Sequence, residues 1–125
     1  MDLNQVTIEV RDFRESVEFY TKLGLKLIVS AGDAYARFEL PSGSSTLSFY
    51  QSDQPAIGNT ALYFEVDDVD RRYAELHKSG IRFDSTPVDR SWMWREAHFT
   101  DPTGNKLCLY HAGLNRRFPP WRLET

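Results

Sequence analysis

Apolar and polar residues alternate strictly over residues 5–10, QVTIEV. Val6, Ile8 and Val10 fall on one face, and Gln5, Thr7 and Glu9 on the other. A period of two predicts a strand with one face on a core. Asp12 then stands as a helix cap with Glu15 three residues on, a capping-box-like spacing. Phe13, Val17 and Tyr20 recur at helical spacing, and Gly24 supplies the left-handed residue that ends the helix. Further strands are predicted at 25–30, 35–40 and 46–51, the last two joined by the turn-rich PSGSS.

The second half repeats this pattern. Residues 6–27 align with 62–83 without a gap, sharing Glu9/Glu65, Val10/Val66, Asp12/Asp68, Lys22/Lys78 and Gly24/Gly80. LYFEV (62–66) alternates, Asp68 caps a helix that turns Val69, Tyr73 and Leu76 inward, and Gly80 stops it. Strands are expected near 81–85, 94–100 and 106–110, with DPTGN (101–105) as the hairpin turn. LSFY (47–50) matches LCLY (107–110) at the ends of the halves. A repeat of this length is a supersecondary unit that cannot bury its apolar face alone, so two copies pack together. The expected fold is α+β, with two βαβββ modules forming cup-shaped mixed sheets and helices on the outer face. Module one spans 1–57 and module two 58–111, followed by a tail, 112–125.

Composition narrows the function classes. A net charge of -3 gives no footprint for nucleic acid. Arg116, Arg117 and Arg122 cluster in the tail beside Pro119, Pro120 and Trp121, which reads as a packed tail or a subunit contact. Cys108 is the single cysteine, so no internal disulfide forms and the chain suits a reducing cytosol. MDLNQVTIEV lacks the basic and apolar regions of a signal peptide, and no run approaches a membrane span. A cytoplasmic protein with no nucleic-acid or membrane partner is expected.

The strand faces opposite the helices are where chemistry is expected. The first strand of each module offers Gln5, Thr7 and Glu9, then Tyr63 and Glu65. The closing strands offer Ser48 and Tyr50, then Cys108 and Tyr110. Between them come Arg37, and Trp92, Trp94, Glu96 and His98. Large aromatics mixed with a few charges suit a ligand pocket first, with half of a dimer interface as the alternative. Arg37 is suited to a carboxylate or phosphate, unless it pairs internally with Glu9, Glu65 or Glu39. Glu9 and Glu65, equivalent in the two repeats, offer a joint site for a cation. Trp92 and Trp94 offer stacking surfaces, or plug the core. Cys108 is a nucleophile only if exposed and easily ionised, and otherwise a small buried filler.

The opening QVTIEVRDFRESVEFYTKLGLKL, with its VxD, SxEFY and LGL elements, and the closing WREAHFTDPTGNKLCLY with DPxGN, together resemble the vicinal-oxygen-chelate superfamily. That superfamily includes glyoxalase I, extradiol dioxygenases, and fosfomycin- and bleomycin-resistance proteins. The resemblance covers residues 3–111. It implies a divalent metal held from four strand places, here Gln5, Ser48, Ala61 and Cys108, where a glyoxalase-like pattern would read Gln or His, Glu, His and Glu. Only Gln5 suits that set, and a catalytic site needs about three protein ligands. The expectation is therefore no metal and no other cofactor, with Glu96, His98, Glu9 and Glu65 the residues available to a displaced site. Three readings follow. The first is a metal-free binder of a small aromatic or charged molecule, acting as a homodimer. The second is a superfamily lyase, isomerase or dioxygenase with a nonstandard metal or an acid–base site such as Glu96 and His98. The third is a dimeric protein with no ligand.

Overall fold

The computed structural model describes residues 1–124. The order is β1 (Gln5–Val10), α1 (Phe13–Lys22), β2 (Lys26–Ala31), β3 (Tyr35–Glu39), β4 (Thr46–Gln51), β5 (Ala61–Glu65), α2 (Val69–Lys78), β6 (Val88–Asp89), β7 (Arg95–Thr100), β8 (Lys106–His111), and a short 3-10 turn at Gly113–Arg116. The strands form two mixed four-stranded sheets, ordered β1-β4-β3-β2 and β5-β8-β7-β6. In each, the opening strand runs parallel to the closing one, as the doubled pattern requires. The α+β reading holds.

Two compact units result. The first is Met1–Thr60 with Thr100–Asn105; the second is Ala61–Phe99 with the chain from Lys106 onward. The DPTGN turn of the second repeat thus lies in the first unit. In that unit Val10, Phe13, Tyr20, Phe38, Leu47 and Phe49 are buried. Phe49 meets Phe13, Tyr20 and Phe38 with ring centroids 5.6–5.8 Å apart. Each such side chain contributes about 1.5–3 kcal/mol by leaving water. In the second unit Val69, Leu76, Ile81, Phe99, Leu107 and Leu109 are buried.

The helix ends behave as the sequence predicts, and alike in both copies. Asp12 accepts the Glu15 N–H at 3.0 Å, and Asp68 the Arg71 N–H at 3.0 Å. At the other end Leu25 N–H donates to Tyr20 O, and Ile81 N–H to Leu76 O, each at 3.0 Å. Gly24 (φ 107°) and Gly80 (φ 100°) take the left-handed conformation these closures need.

One element departs from expectation. No strand forms at 81–85; Phe83 makes a single bridge to Phe99, and the ladder resumes only as the two-residue β6. Ile81 is buried and Phe83 packs on Phe99 at 4.6 Å, so the apolar alternation is satisfied by packing without a ladder. Pro87 lacks the N–H that an extended pairing would require. The strand expected from 94 begins at Arg95, after Met93 takes a left-handed φ of 68°.

The DPTGN turn also anchors its unit. Asp101, 3% exposed, accepts the N–H groups of Thr103, Gly104 and Asn105 on Oδ1 at 2.9–3.0 Å. Its Oδ2 accepts the Tyr20 hydroxyl at 2.8 Å. Asn105 Nδ2 donates to Glu9 O at 3.0 Å, and the Arg11 N–H donates to Thr103 Oγ1 at 3.0 Å. Every oxygen of a buried carboxylate is thereby matched, as burial demands.

Candidate functional site

The register fixes what each sheet presents away from its helix. In the first unit Thr7 pairs with Ser48, and Ser48 with Arg37; Glu9 pairs with Tyr50, and Tyr50 with Tyr35. Ser48 is fully buried and sits at the centre of a hydrogen-bond cluster. Gln5 Nε2 donates to it at 2.6 Å, and the Thr7 hydroxyl lies 2.7 Å from it. The Thr46 hydroxyl donates to Gln5 Oε1. Both polar ends of the Gln5 amide are therefore committed to the neighbouring strand β4. A hydrogen bond with Ser48 holds the Tyr35 phenol below its ordinary range, with Arg37 acting in the same direction. Arg37 donates to Tyr35 Oη at 3.1 Å and lies 5.6 Å from that ring. Its partner is a phenol, and no pairing with Glu9 or Glu39 is present among the described residues; Glu39 faces Lys26 instead. Tyr50 is exposed.

Glu9 and Glu65 are each engaged with backbone in their own unit. Glu9 Oε1 accepts the Ala56 N–H at 3.3 Å. Glu65 Oε2 accepts the N–H groups of Ala112 and Gly113 at 2.8 and 2.9 Å, and its Oε1 lies 3.9 Å from Arg116 Nε. Both carboxylates hold the chain that leaves the closing strand.

The second unit carries the richer face. Tyr63 on β5 pairs with Cys108 on β8. Tyr63 stands edge-on to Trp94, His98 and Tyr110, with centroids 5.4–6.4 Å away. Trp94 and Tyr110 stack at 4.8 Å and 28°. Trp94 and Tyr110 thus pack beside Cys108 in a small buried cluster, whereas Tyr63 and Trp92 remain 48% and 44% exposed. Of the two roles weighed for the tryptophans, Trp94 packs and Trp92 lies open.

Glu96 is the buried charge of this face, 4% exposed. Trp92 Nε1 donates to its Oε2 at 2.7 Å; His98 Nε2 lies 2.7 Å and Arg90 Nε 3.6 Å from its Oε1. The Arg90 side chain also lies 5.8 Å from the Trp92 ring. Cys108 Sγ is 3.7 Å from the same His98 Nε2. Burial, then the Glu96 charge, pushes the Cys108 thiol up to about 12. A buried thiol of that kind stays protonated near neutrality in the metal-free chain, so it does not act as a nucleophile. Burial also raises Tyr63, with Cys108 and Glu96 adding to it, and raises Tyr110, with Glu65 adding.

Arg90 joins the site without a pattern in the sequence that would place it there. Its signal was a cation four residues before Trp94 in the loop DRSWMW, a segment with no periodicity to orient it. Ala61 contributes no donor atom, and it pairs with Lys106 in the register. Among the described residues no helix is long and apolar enough to cross a membrane.

Comparison with known proteins agrees with this architecture. A family model described as Glyoxalase/Bleomycin resistance protein/Dioxygenase superfamily matches residues 2–109. The Bacillus subtilis (strain 168) protein YraH is 34% identical over 88% of this chain and 98% of its own. A glyoxalase/bleomycin resistance protein/dioxygenase from Nocardioides superposes with a TM-score of 0.78 at 25% identity, covering 99% of this chain and 90% of that one. The bleomycin resistance determinant encoded on transposon Tn5 superposes with a TM-score of 0.73 at 21% identity, covering 89% and 98%.

Proposed function

The chain belongs to the glyoxalase/bleomycin resistance protein/dioxygenase superfamily, and within it we propose that this member binds a small planar aromatic molecule on the polar face of its second sheet. The observation that carries this reading is the half-exposed Tyr63 ring standing edge-on to His98, which meets a buried carboxylate, Glu96, that is already fixed by Trp92 and flanked by Arg90. An open ring supplies stacking area, and charged groups held by neighbours orient a ligand without collapsing into the site. Binding of this kind needs neither a nucleophile nor the metal of the superfamily's enzymes.

The four strand places do not suit that metal. Gln5 and Ser48 satisfy each other and Thr46, Ala61 has no donor, and Cys108 offers one soft sulfur where a hard oxygen is expected. A cation there would have to break the Ser48 cluster and would gain at most two neutral oxygens in return, which is a poor hard-metal site.

A thermal-shift panel of cationic aromatics, aromatic acids and thiol conjugates tests the reading. A ligand that raises the melting temperature of the wild-type chain, and does so less in Tyr63→Ala, supports it. A panel without any shift, or shifts indifferent to Tyr63→Ala, overturns it.

We also propose that the chain pairs with a second copy. All six residues of the edge strand β2 are exposed, Leu27, Ile28 and Val29 among them. An apolar edge left open invites pairing with another strand. Sedimentation analysis should show a dimer that Ile28→Lys converts to a monomer.

A further inference from the structure

His98 presents one ring nitrogen to two partners. Its Nε2 lies 2.7 Å from Glu96 Oε1 and 3.7 Å from Cys108 Sγ. A thiol–imidazole–carboxylate relay needs the thiol and the carboxylate on different ring nitrogens, so that one orients the ring while the other receives the proton. This arrangement is therefore no relay. What it provides is convergence: a carboxylate oxygen, an imidazole nitrogen and a sulfur, all within 4.8 Å of one another.

We propose that Glu96, His98 and Cys108 form a divalent-metal site on β7 and β8, one that takes zinc or a metal of similar preference. Only Cys108 coincides with a strand place that the superfamily uses; the other two donors come from β7. Zinc holds imidazole nitrogen at about 2.0–2.1 Å and thiolate sulfur at about 2.3 Å, so tetrahedral ligands of these types stand about 3.6 Å apart. The His98–Cys108 separation already has that value. Glu96 and His98 need to open by about half an ångström, since tetrahedral oxygen and nitrogen ligands stand about 3.3 Å apart.

The surroundings favour this use. A mixed sulfur, nitrogen and oxygen set selects zinc, cobalt or nickel over magnesium and calcium. The Trp92 indole N–H holds Glu96 Oε2 at 2.7 Å, which leaves Oε1 to face the other two donors. Glu96 and Cys108 are buried while His98 is partly open, so three protein ligands leave a fourth position toward the accessible side. Arg90 is the competitor for Oε1, at 3.6 Å. Its Nε is buried and makes no hydrogen bond among the described residues, while its side chain as a whole is 38% exposed, so metal binding has to displace this ion pair.

Cobalt(II) titration of the full chain after chelator treatment, followed by absorption, tests the site with the metal alone. The expected result is one cobalt per chain, with visible bands of low coordination number and a near-ultraviolet thiolate-to-cobalt band. That band should vanish in Cys108→Ser, and His98→Gln should weaken binding by more than about tenfold. His111→Gln, outside the cluster, should leave the spectrum unchanged. Circular dichroism verifies folding, and if Cys108→Ser does not fold, the His98→Gln and His111→Gln pair decides. No charge-transfer band in the wild type, a band that survives in folded Cys108→Ser, or affinity unchanged in His98→Gln overturns the proposal. No organic ligand enters the experiment, so its outcome is independent of the aromatic-ligand reading.

Discussion

Glu9 and Glu65 occupy the same place in the two repeats and do the same work, each accepting backbone N–H from the chain just beyond the closing strand of its own unit. The pairing is unequal. Glu9 makes one contact at 3.3 Å, whereas Glu65 makes two under 3 Å and has Arg116 nearby.

Glu65→Ala should therefore cost about 1–3 kcal/mol, since two backbone donors lose a charged acceptor. Glu9→Ala should cost less. Thermal denaturation measures both. Limited trypsin digestion gives a local readout, because Glu65→Ala frees the segment that holds Arg116 and Arg117 and should speed cleavage there.

Tyr20 predicts a dependence on alkaline pH. Burial, followed by the Asp101 charge, holds its phenol far above the ordinary tyrosine range. The unfolded chain releases that proton near pH 10, roughly the ordinary tyrosine value, while the folded chain keeps it. A raised folded-state value means that the contribution is complete below about pH 10 and is lost as pH rises beyond it, by about 1.4 kcal/mol per pH unit. Tyr20→Phe removes this loss, so its stability should fall less steeply between pH 10 and 11 than that of the wild type. It should also be less stable at pH 7, because Asp101 loses one donor. Urea titrations across this range give both numbers.

Gly80 separates backbone strain from crowding. A Cβ there meets nothing within 4 Å, yet φ is 100°. Gly80→Ala should cost about 1–3 kcal/mol through conformation alone, with spectra otherwise unchanged. Chemical denaturation at fixed pH measures it.

Local signals carried most of the fold. Asp12, Asp68, Gly24 and Gly80 act within a few residues of themselves, so caps and helix ends were readable, as were strands with a clean period of two. The segment 81–85 forms no strand although it alternates, because alternation reports which side chains turn inward, and Phe83 packs on Phe99 with a single bridge rather than a ladder. The site was legible as a set of faces only. That Ser48 would satisfy Gln5, that Glu65 would hold Ala112, and that His98 would turn one nitrogen to both Glu96 and Cys108 depend on rotamers and on distances across strands. Arg90 lay in a loop, where no periodicity assigns a direction.

The proposed recognition surface is the aromatic face of the second sheet. The chain has three tryptophans, and each gives one indole N–H resonance in a nitrogen-15 correlation spectrum. Titrating the full chain with whichever planar aromatic stabilises it most tests the claim directly. Saturable shifts are expected for Trp92, whose N–H is bonded to Glu96, and for Trp94, which packs against Tyr63, with Trp121 unmoved. Saturable shifts at Trp121 or at the Gln5 and Ser48 amides, with Trp92 and Trp94 unmoved, would contradict it.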